Sequence, residues 1–339
     1  MKRILLIGTG GTIASAAGED GLAPAYDAEE LLSYIEEAKE LCEIETISLI
    51  SVDSTNLQPE SVQKIAETIA DNYADYDGFV VTHGTNTLGY SSALLTYMLT
   101  NIKKPVVVTG SQVAIDQPYT DAKQNIFAAV KFAQEEVPGV FVAFNNKLIR
   151  GTRAVKVRTK SLAGFSSINA PCLAAIKLGE VIYNYQYNDK YEIMNINPTQ
   201  TFELKTDLNT DVFVLKLHPG LTGDIFQFIK KNYAGVVIET YGLGGVPEQG
   251  DYDLLAEIEK LTAAGIAVVV TTQCLEGGID LELYDLGRKL ARQKVIPVQD
   301  MTTEAAVGKL MWALGNCDNY DQIRNLMQIP ICKDISNNS

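Results

Sequence analysis

Four short segments of this chain set hydroxyl and amide side chains among glycines: Gly8-Thr9-Gly10-Gly11-Thr12, Asp53-Ser54-Thr55-Asn56, His83-Gly84-Thr85-Asn86-Thr87 and Gly110-Ser111-Gln112. A threonine or serine hydroxyl is a weak nucleophile at neutral pH and becomes useful beside a proton acceptor. Histidine is scarce here: the chain has two, His83 and His218. His83 reads as the end of a strand, and His218, ahead of Pro219-Gly220, as the start of a turn. Lysine is the usual substitute when burial or neighbours keep it neutral part of the time. The lysine in question is Lys156, inside the basic run Arg150-Gly151-Thr152-Arg153-Ala154-Val155-Lys156-Val157-Arg158. That run reads equally as a solvated basic surface. Ser, Thr, Asn and Gly also cap helices and make turns in any protein, so each loop alone has a purely structural explanation. Four together favour one shared crevice.

The elements flanking these loops say how they could meet. The first half alternates short β-branched runs with amphipathic segments, the pattern of a parallel sheet covered by helices. Strands are expected at 3–7, 44–52, 78–82, 105–109 and 139–144. Helices are expected at 29–41 behind Asp27 as N-cap, from Pro59 to about 73, at 88–100, and at 121–135 with Thr120 as N-cap. In an open parallel sheet the loops after the strands emerge at one edge, where ligands bind near a reversal of strand order. After Phe144 the rhythm breaks at an Asn145-Asn146-Lys147 turn, and residues 162–187 are mixed. The polar stretch 188–210 is the linker candidate. Strands then resume at 212–217, 235–240 and 266–271, with helices at 223–230, 252–264, 281–292 and 303–314. The fold expected is α/β: a larger N-terminal parallel-sheet domain over 1–187, a linker over 188–210 and a smaller C-terminal α/β domain over 211–339.

Several chemistries drop out. Gly8-x-Gly10 opens like a dinucleotide fingerprint, but Ile13 stands where a third small residue should be. There is no P-loop, and neither Gly110-Ser111 nor Gly164-Phe165-Ser166 completes a nucleophile elbow. Two histidines exclude a multi-histidine metal site. The five cysteines are odd in number and scattered, without a C-x-x-C, which fits neither a disulfide framework nor a structural zinc and points to a reducing cytoplasm. A formal charge of −14 and a pI near 4.7 would repel a phosphate backbone or an anionic lipid surface. Neither nucleic acid nor membrane is therefore expected as a partner. The apolar start Ile4-Leu5-Leu6-Ile7 ends at Gly8, too early for a signal peptide, and no stretch approaches the roughly 20 apolar residues of a membrane helix.

Gly10-Gly11-Thr12-Ile13-Ala14, His83-Gly84-Thr85 with Thr87, Thr109-Gly110-Ser111-Gln112, the 151–156 segment, His218-Pro219-Gly220 and Thr272-Gln273-Cys274 together resemble a bacterial type I, cytoplasmic, L-asparaginase. The likeness runs over nearly the whole chain. It implies hydrolysis of L-asparagine to L-aspartate and ammonia with neither metal nor organic cofactor, in a homodimer or homotetramer. By motif, Thr12 would be the nucleophile that forms an acyl-enzyme, and Thr85 with Lys156 the second hydroxyl and its proton relay. Asp53, Ser54 and Thr55 would hold the substrate's α-carboxylate and amino group, with Gly11, Gly84 and Ser111 also lining the substrate site. Residues 14–26 would form a mobile covering loop, in which Tyr26 is the sole tyrosine. Glycine-rich backbone around Thr12 and Gly84 could offer N–H groups to an oxyanion.

One position departs from the resemblance. The family pattern is H-G-T-D-T, and Asn86 occupies the Asp position. In the family that carboxylate pairs with the lysine and receives the substrate's α-ammonium. Asn keeps the shape and one acceptor but loses the charge, so recognition should weaken and Lys156 should hold its proton less firmly. An engineered substitution meant to stall turnover, favoured by the intactness of every other motif, competes with a natural member of reduced or altered activity. A different class of function is a non-catalytic amino-acid sensor using the same pocket. The related amidotransferase protein that acts on misacylated transfer RNA carries an extra N-terminal domain, for which a first strand at Arg3 leaves no room, and the acidic surface also speaks against that partner.

Overall fold

The structure, a computed structural model, describes residues 1–18, 21–184 and 193–336, with Leu22 as backbone alone. It divides into two compact units, Met1–Thr206 and Asp207–Ser339; the expected boundary at 187/188 lies outside the described residues. In chain order the strands of unit 1 are β1 (Arg3–Gly10), β2 (Ser15–Gly18), β3 (Gly21–Pro24), β4 (Glu43–Val52), β5 (Gly78–Thr82), β6 (Leu99–Thr100), β7 (Pro105–Thr109), β8 (Gly139–Phe144), β9 (Lys147–Arg150), β10 (Ala154–Lys156), β11 (Phe165–Ser167), β12 (Ala174–Lys177), β13 (Glu180–Tyr183) and β14 (Glu203–Leu204). Its α-helices are α1 (Ala28–Ser33), α2 (Pro59–Asp71), α3 (Leu88–Met98) and α4 (Ala122–Ala133).

Eight of these strands form one sheet, ordered β13-β12-β9-β8-β7-β5-β1-β4. The sheet is mixed: β4, β1, β5, β7 and β8 run parallel, and β9, β12 and β13 continue it antiparallel. The continuous apolar runs of β5, β7 and β8 are buried along their whole length, as strands covered on both faces require. The Asn145-Asn146 turn joins β8 to β9 with φ of 49° and 60°, the left-handed pair that a two-residue hairpin needs and that Asn tolerates. From β1 the chain crosses to β4 on one side and then to β5 on the other. The connections after β1 and β5 therefore diverge, and a crevice opens between their carboxyl ends.

Three expected helices differ from the periodic reading of the sequence, the one over 281–292 beginning only at Asp285. The segment 29–41 forms α1 and then a 3₁₀ turn, Glu36–Glu40, because Ile35 leaves helical geometry with φ −133° and ψ 47°. Ile35 is fully buried, and Tyr34 packs edge-on against Tyr26 and beneath Lys123, so tertiary contacts override a weak propensity. At α4 the N-cap is Asp121, not Thr120 as expected, although the Ala122 amide donates to the Thr120 hydroxyl. The adjoining Asp121 carboxylate is turned away to the 110–113 loop.

Unit 2 has four parallel strands in sequential order, β15 (Val212–Lys216), β16 (Gly235–Thr240), β17 (Ala267–Thr272) and β18 (Ile296–Pro297). They are accompanied by α5 (Asp224–Asn232), α6 (Leu254–Ala263), α7 (Asp285–Arg292), α8 (Thr303–Asn316) and α9 (Tyr320–Gln328). Its core joins Val236, Ile238, Val268 and Val270 of the sheet to Phe226, Ile229, Ile258 and Leu290 of the helices. An ion pair with both partners wholly buried, Lys309 Nζ to Asp334 at 2.8 Å, fastens the C-terminal segment to α8. Lys309 also donates to the Ile329 carbonyl, and Asp334 accepts from the Ile331 amide. Among the described residues no helix is long and apolar enough to cross a membrane.

Candidate active site

The crevice between the ends of β1 and β5 is where the hydroxyl-rich loops meet. β1 is held to β5 in parallel register, with Gly8 opposite Thr82, and the Thr9 hydroxyl donates to the Thr82 carbonyl at 2.7 Å. Beyond them the backbones of Gly11 and Gly84 touch. A Cβ on Gly11, whose φ is +82°, would lie 2.3 Å from Gly84 Cα, and one on Gly84 would lie 2.5 Å from Ser54 Oγ. No side chain fits at either point, so glycine is what lets three loops close on one another. Thr12 follows Gly11 at the start of a single 3₁₀ turn and is half-buried; Thr85 follows Gly84 and is 5% exposed.

Polar contacts tie the loops together. Asp53 caps the 3₁₀ turn Ser54–Asn56, its Oδ1 accepting the Thr55 amide at 2.7 Å. Ser54 Oγ accepts the Asn86 amide at 3.2 Å, and the Thr87 hydroxyl donates to the Ser54 carbonyl at 2.9 Å. Lys156, at the end of β10, reaches across: its Nζ donates to Thr85 Oγ1 at 2.7 Å and to Asn86 Oδ1 at 2.9 Å. The other end of the Asn86 amide, Nδ2, donates to Thr55 Oγ1 at 3.1 Å. A lysine ammonium has donors alone, which fixes the amide oxygen of Asn86 toward it.

The electrostatics follow. Partial burial holds the Lys156 ammonium below the ordinary lysine range, opposed by the charge of Asp53. Asp53 is held below the ordinary carboxylate range by its hydrogen bonds to the Thr55 side chain and amide, with Lys156 adding a smaller effect. A lysine with a lowered pKa, bonded to a threonine hydroxyl, is an arrangement that can pass a proton to or from that hydroxyl.

The fourth loop stands differently. Ser111 is fully buried and its hydroxyl donates to the Val113 carbonyl at 2.6 Å. Gly110 is the member seen against Thr85: a Cβ there would sit 3.3 Å from Thr85 Cγ2. The Gly11 N–H is given to the Val52 carbonyl at 2.8 Å, so an oxyanion would need other donors in these loops. Tyr26 packs against Tyr34, and its hydroxyl is pushed up to about 12, first by the bond with Tyr34. A cavity of about 520 Å³ is lined by Tyr26, Gly8, Gly10, Ala14 and residues 48–51 of β4, without Thr12, Thr85 or Lys156.

Sequence reasoning missed two supporting residues. Asp121 accepts the amides of Gln112 and Val113 and the side chain of Asn125, clamping the 110–113 loop to α4; an acidic residue at the start of a helix is the one trace it leaves. His83 is wholly buried and faces the Gly84 carbonyl through Nδ1 at 2.7 Å. The carbonyl can only accept, so Nδ1 carries the proton. Burial lowers the ring's pKa to about 4, which keeps it neutral. Among the described residues no cluster of three His, Cys, Asp or Glu could hold a metal ion.

Relatives share this architecture. The family model "Asparaginase, N-terminal" matches residues 3–189 and "Glutaminase/Asparaginase C-terminal domain" matches residues 211–327. The L-asparaginase of Thermococcus kodakarensis is 39% identical over 335 residues, 98% of this chain and 99% of that one. A glutamyl-tRNA(Gln) amidotransferase component from Pyrococcus abyssi is 36% identical over 96% of this chain, which spans 75% of its length. Among solved structures, the thermostable L-asparaginase from Thermococcus kodakarensis superposes with a TM-score of 0.92 at 38% identity, covering 99% of both chains. L-asparaginase I of Vibrio cholerae gives 0.87 at 29%, again over 99% of both. By the match of both family models and by relatives alike over almost its full length, the chain belongs to the asparaginase family.

Proposed function

We propose that this chain is an amidohydrolase of the type I, cytoplasmic kind that converts L-asparagine and water to L-aspartate and ammonia, works without cofactor as a homodimer or homotetramer, and is slowed by Asn86. The contact that carries the reading is Lys156 Nζ to Thr85 Oγ1 at 2.7 Å, an amine and a hydroxyl joined beside the Gly11–Gly84 junction that Thr12 adjoins. In the proposed sequence the Thr12 hydroxyl attacks the amide carbon and its proton passes to the Thr85–Lys156 pair. That proton goes to the departing nitrogen as the C–N bond breaks and an acyl ester forms on Thr12. Water then cleaves the ester, restoring the hydroxyl and releasing the carboxylate. Asp53, Ser54 and Thr55 hold the substrate's α-carboxylate and amino group, with Gly11, Gly84 and Ser111 shaping the site.

An ammonia-release assay on the purified chain and on Thr12→Val and Lys156→Met tests it. Turnover of L-asparagine in the parent, reduced at least ~1000-fold in each variant, is the expected result, in line with the non-additive loss seen when members of a catalytic unit are removed. Variants as active as the parent overturn the assignment. The neutral oxygens that Lys156 meets at Thr85 and Asn86 favour a second reading, an amino-acid sensor. Calorimetric binding of L-asparagine without ammonia release, in both the chain and Asn86→Asp, would establish it.

A further inference from the structure

The residue that departs from the resemblance is itself an amide, the kind of bond this site is proposed to open, and its neighbours stand about that amide as about a substrate. Asn86 Oδ1 receives the Lys156 ammonium at 2.9 Å. Asn86 Nδ2 lies 3.1 Å from Thr55 Oγ1. The Thr55 hydroxyl in turn donates to the Asp53 carboxylate, one of the bonds that hold Asp53 below the ordinary carboxylate range. The backbone is pinned as well, the Asn86 N–H being given to Ser54 Oγ at 3.2 Å. Asn86 is exposed, so water has access to its side chain. Hydrolysis of an amide needs a positive group where the oxygen becomes an anion and a proton where the nitrogen departs. Lys156 stands at the first position and Thr55 at the second. Both are already within hydrogen-bonding distance, so the entropy cost of assembling them is met by the fold.

We propose that Asn86 is a self-modification site: the folded chain hydrolyses its own Asn86 side-chain amide once and carries an aspartate there afterwards. Water forms a new C–O bond to Cγ while the carbonyl π pair moves to Oδ1, beside Lys156. The proton that water sheds passes to Asp53. The C–N bond then breaks with its electron pair on nitrogen, which leaves as ammonia with the proton of the Thr55 hydroxyl, and Asp53 returns its proton to Thr55. One water is consumed, one ammonia departs, and the acid formed ionises against Lys156. A neutral contact is exchanged for an ion pair, the stronger bond, so the change runs one way. Asp53 is a poor base, and the reaction needs no better one because each chain performs it once. The chemistry stands without the Thr12 assignment; its consequence rests on the amidohydrolase reading above, in which the freshly made chain is the slow form and the converted chain the fast one.

The test follows the freshly purified chain in water enriched in heavy oxygen at neutral pH. Mass spectrometry reads the peptide spanning residue 86, and ammonia release from L-asparagine is measured on the same samples. Residue 86 is expected to gain the mass of an amide-to-acid exchange with one heavy oxygen, at a rate independent of protein concentration. Conversion should be at least ~100-fold faster in the folded chain than in the same chain held unfolded in guanidinium. Lys156→Met and Thr55→Val should each slow it at least ~10-fold, with circular dichroism checking that each is folded. Activity toward L-asparagine should climb in step with conversion. An amide still intact in the folded chain once the unfolded chain has begun to convert overturns the inference. Equal rates in folded and unfolded chain, or in the parent and both variants, do the same. Isoaspartate at position 86 also overturns it, since that product marks ring closure by the Thr87 backbone nitrogen. Conversion with no gain in activity upholds the self-modification and counts against residue 86 as the brake on turnover. Turnover of L-asparagine with residue 86 unconverted leaves the amidohydrolase reading standing and ends this one.

Discussion

At position 86 the resemblance leads one to expect an aspartate, and the asparagine present differs from it by a nitrogen in place of an oxygen, so the proposed effect is electrostatic. A hydrogen bond to an ionised partner is worth about 1.5–3 kcal/mol against about 1 for a neutral one. Asn86→Asp should therefore raise hydrolysis of L-asparagine by at least tenfold, measured as ammonia release; an unchanged rate would show that residue 86 is not what limits this chain. His83 supports a prediction of another kind. Its ring titrates at about 4 in the fold against 6.5 when free, so below pH 6.5 the unfolded chain takes up a proton that the folded one refuses. The stability that neutral His83 provides is complete above pH 6.5 and declines as the pH drops through 4, by up to ~3 kcal/mol. Urea unfolding at pH 7 and at pH 4.5 should show a steeper loss in the parent than in His83→Gln, whose side chain cannot ionise. Both residues are legible as positions in the sequence, since the H-G-T-x-T spacing marks them. The pairing of Asn86 Nδ2 with Thr55, and the burial that neutralises His83, depend on neighbours remote in the chain and leave no local trace.

Among the elements, the strands buried on two faces are the easiest to read, because an uninterrupted run such as Gly78-Phe-Val-Val-Thr82 has no competing amphipathic period. The helix expected over 29–41 shows the opposite case. Leu31, Ile35 and Ala38 have helical spacing, and all three are buried, yet the backbone tightens at Ile35 to let Tyr34 meet Tyr26. The hairpin of β2 and β3 and the short helix α9 escape a pattern-based reading, the first being Gly- and Ala-rich, the second having just Ile323 and Met327 on its buried face. The carboxyl-edge loops converge because of strand order, which no single loop encodes. Their junction is unforgiving: Gly84→Ala would drive a Cβ to 2.5 Å from Ser54 Oγ and must displace the Thr85 or Ser54 loop. Overpacking of this kind costs about 1–3 kcal/mol. Activity should fall at least ~100-fold with a lowered melting temperature, whereas Gly179→Ala, where nothing stands within 4 Å but a φ of +84° strains any side chain, should lower stability while leaving activity unchanged.

For the whole molecule, stability and chemistry are set in different places. Unit 1 carries every residue assigned to the proposed reaction, while unit 2 contains a charge pair with no access to water. Breaking such a pair from one side strands the other charge and costs about 3–5 kcal/mol, so Asp334→Ala should lower the denaturant midpoint of unfolding markedly. Replacing both partners by apolar residues, Lys309→Met with Asp334→Leu, should recover most of that loss, and a double variant no better than the single one would show that the pair does more than neutralise itself. Sequence could supply neither member, since a lysine within a helix and an aspartate near a chain end look like surface residues.

Lys156 hangs from a ladder of three residue pairs, β10 against β11, outside the eight-stranded sheet whose strand ends carry Thr12 and Thr85. On warming, so short a ribbon should fray before the main sheet gives way. Inactivation would then outrun denaturation: the protein would go silent while still folded, and recover on cooling.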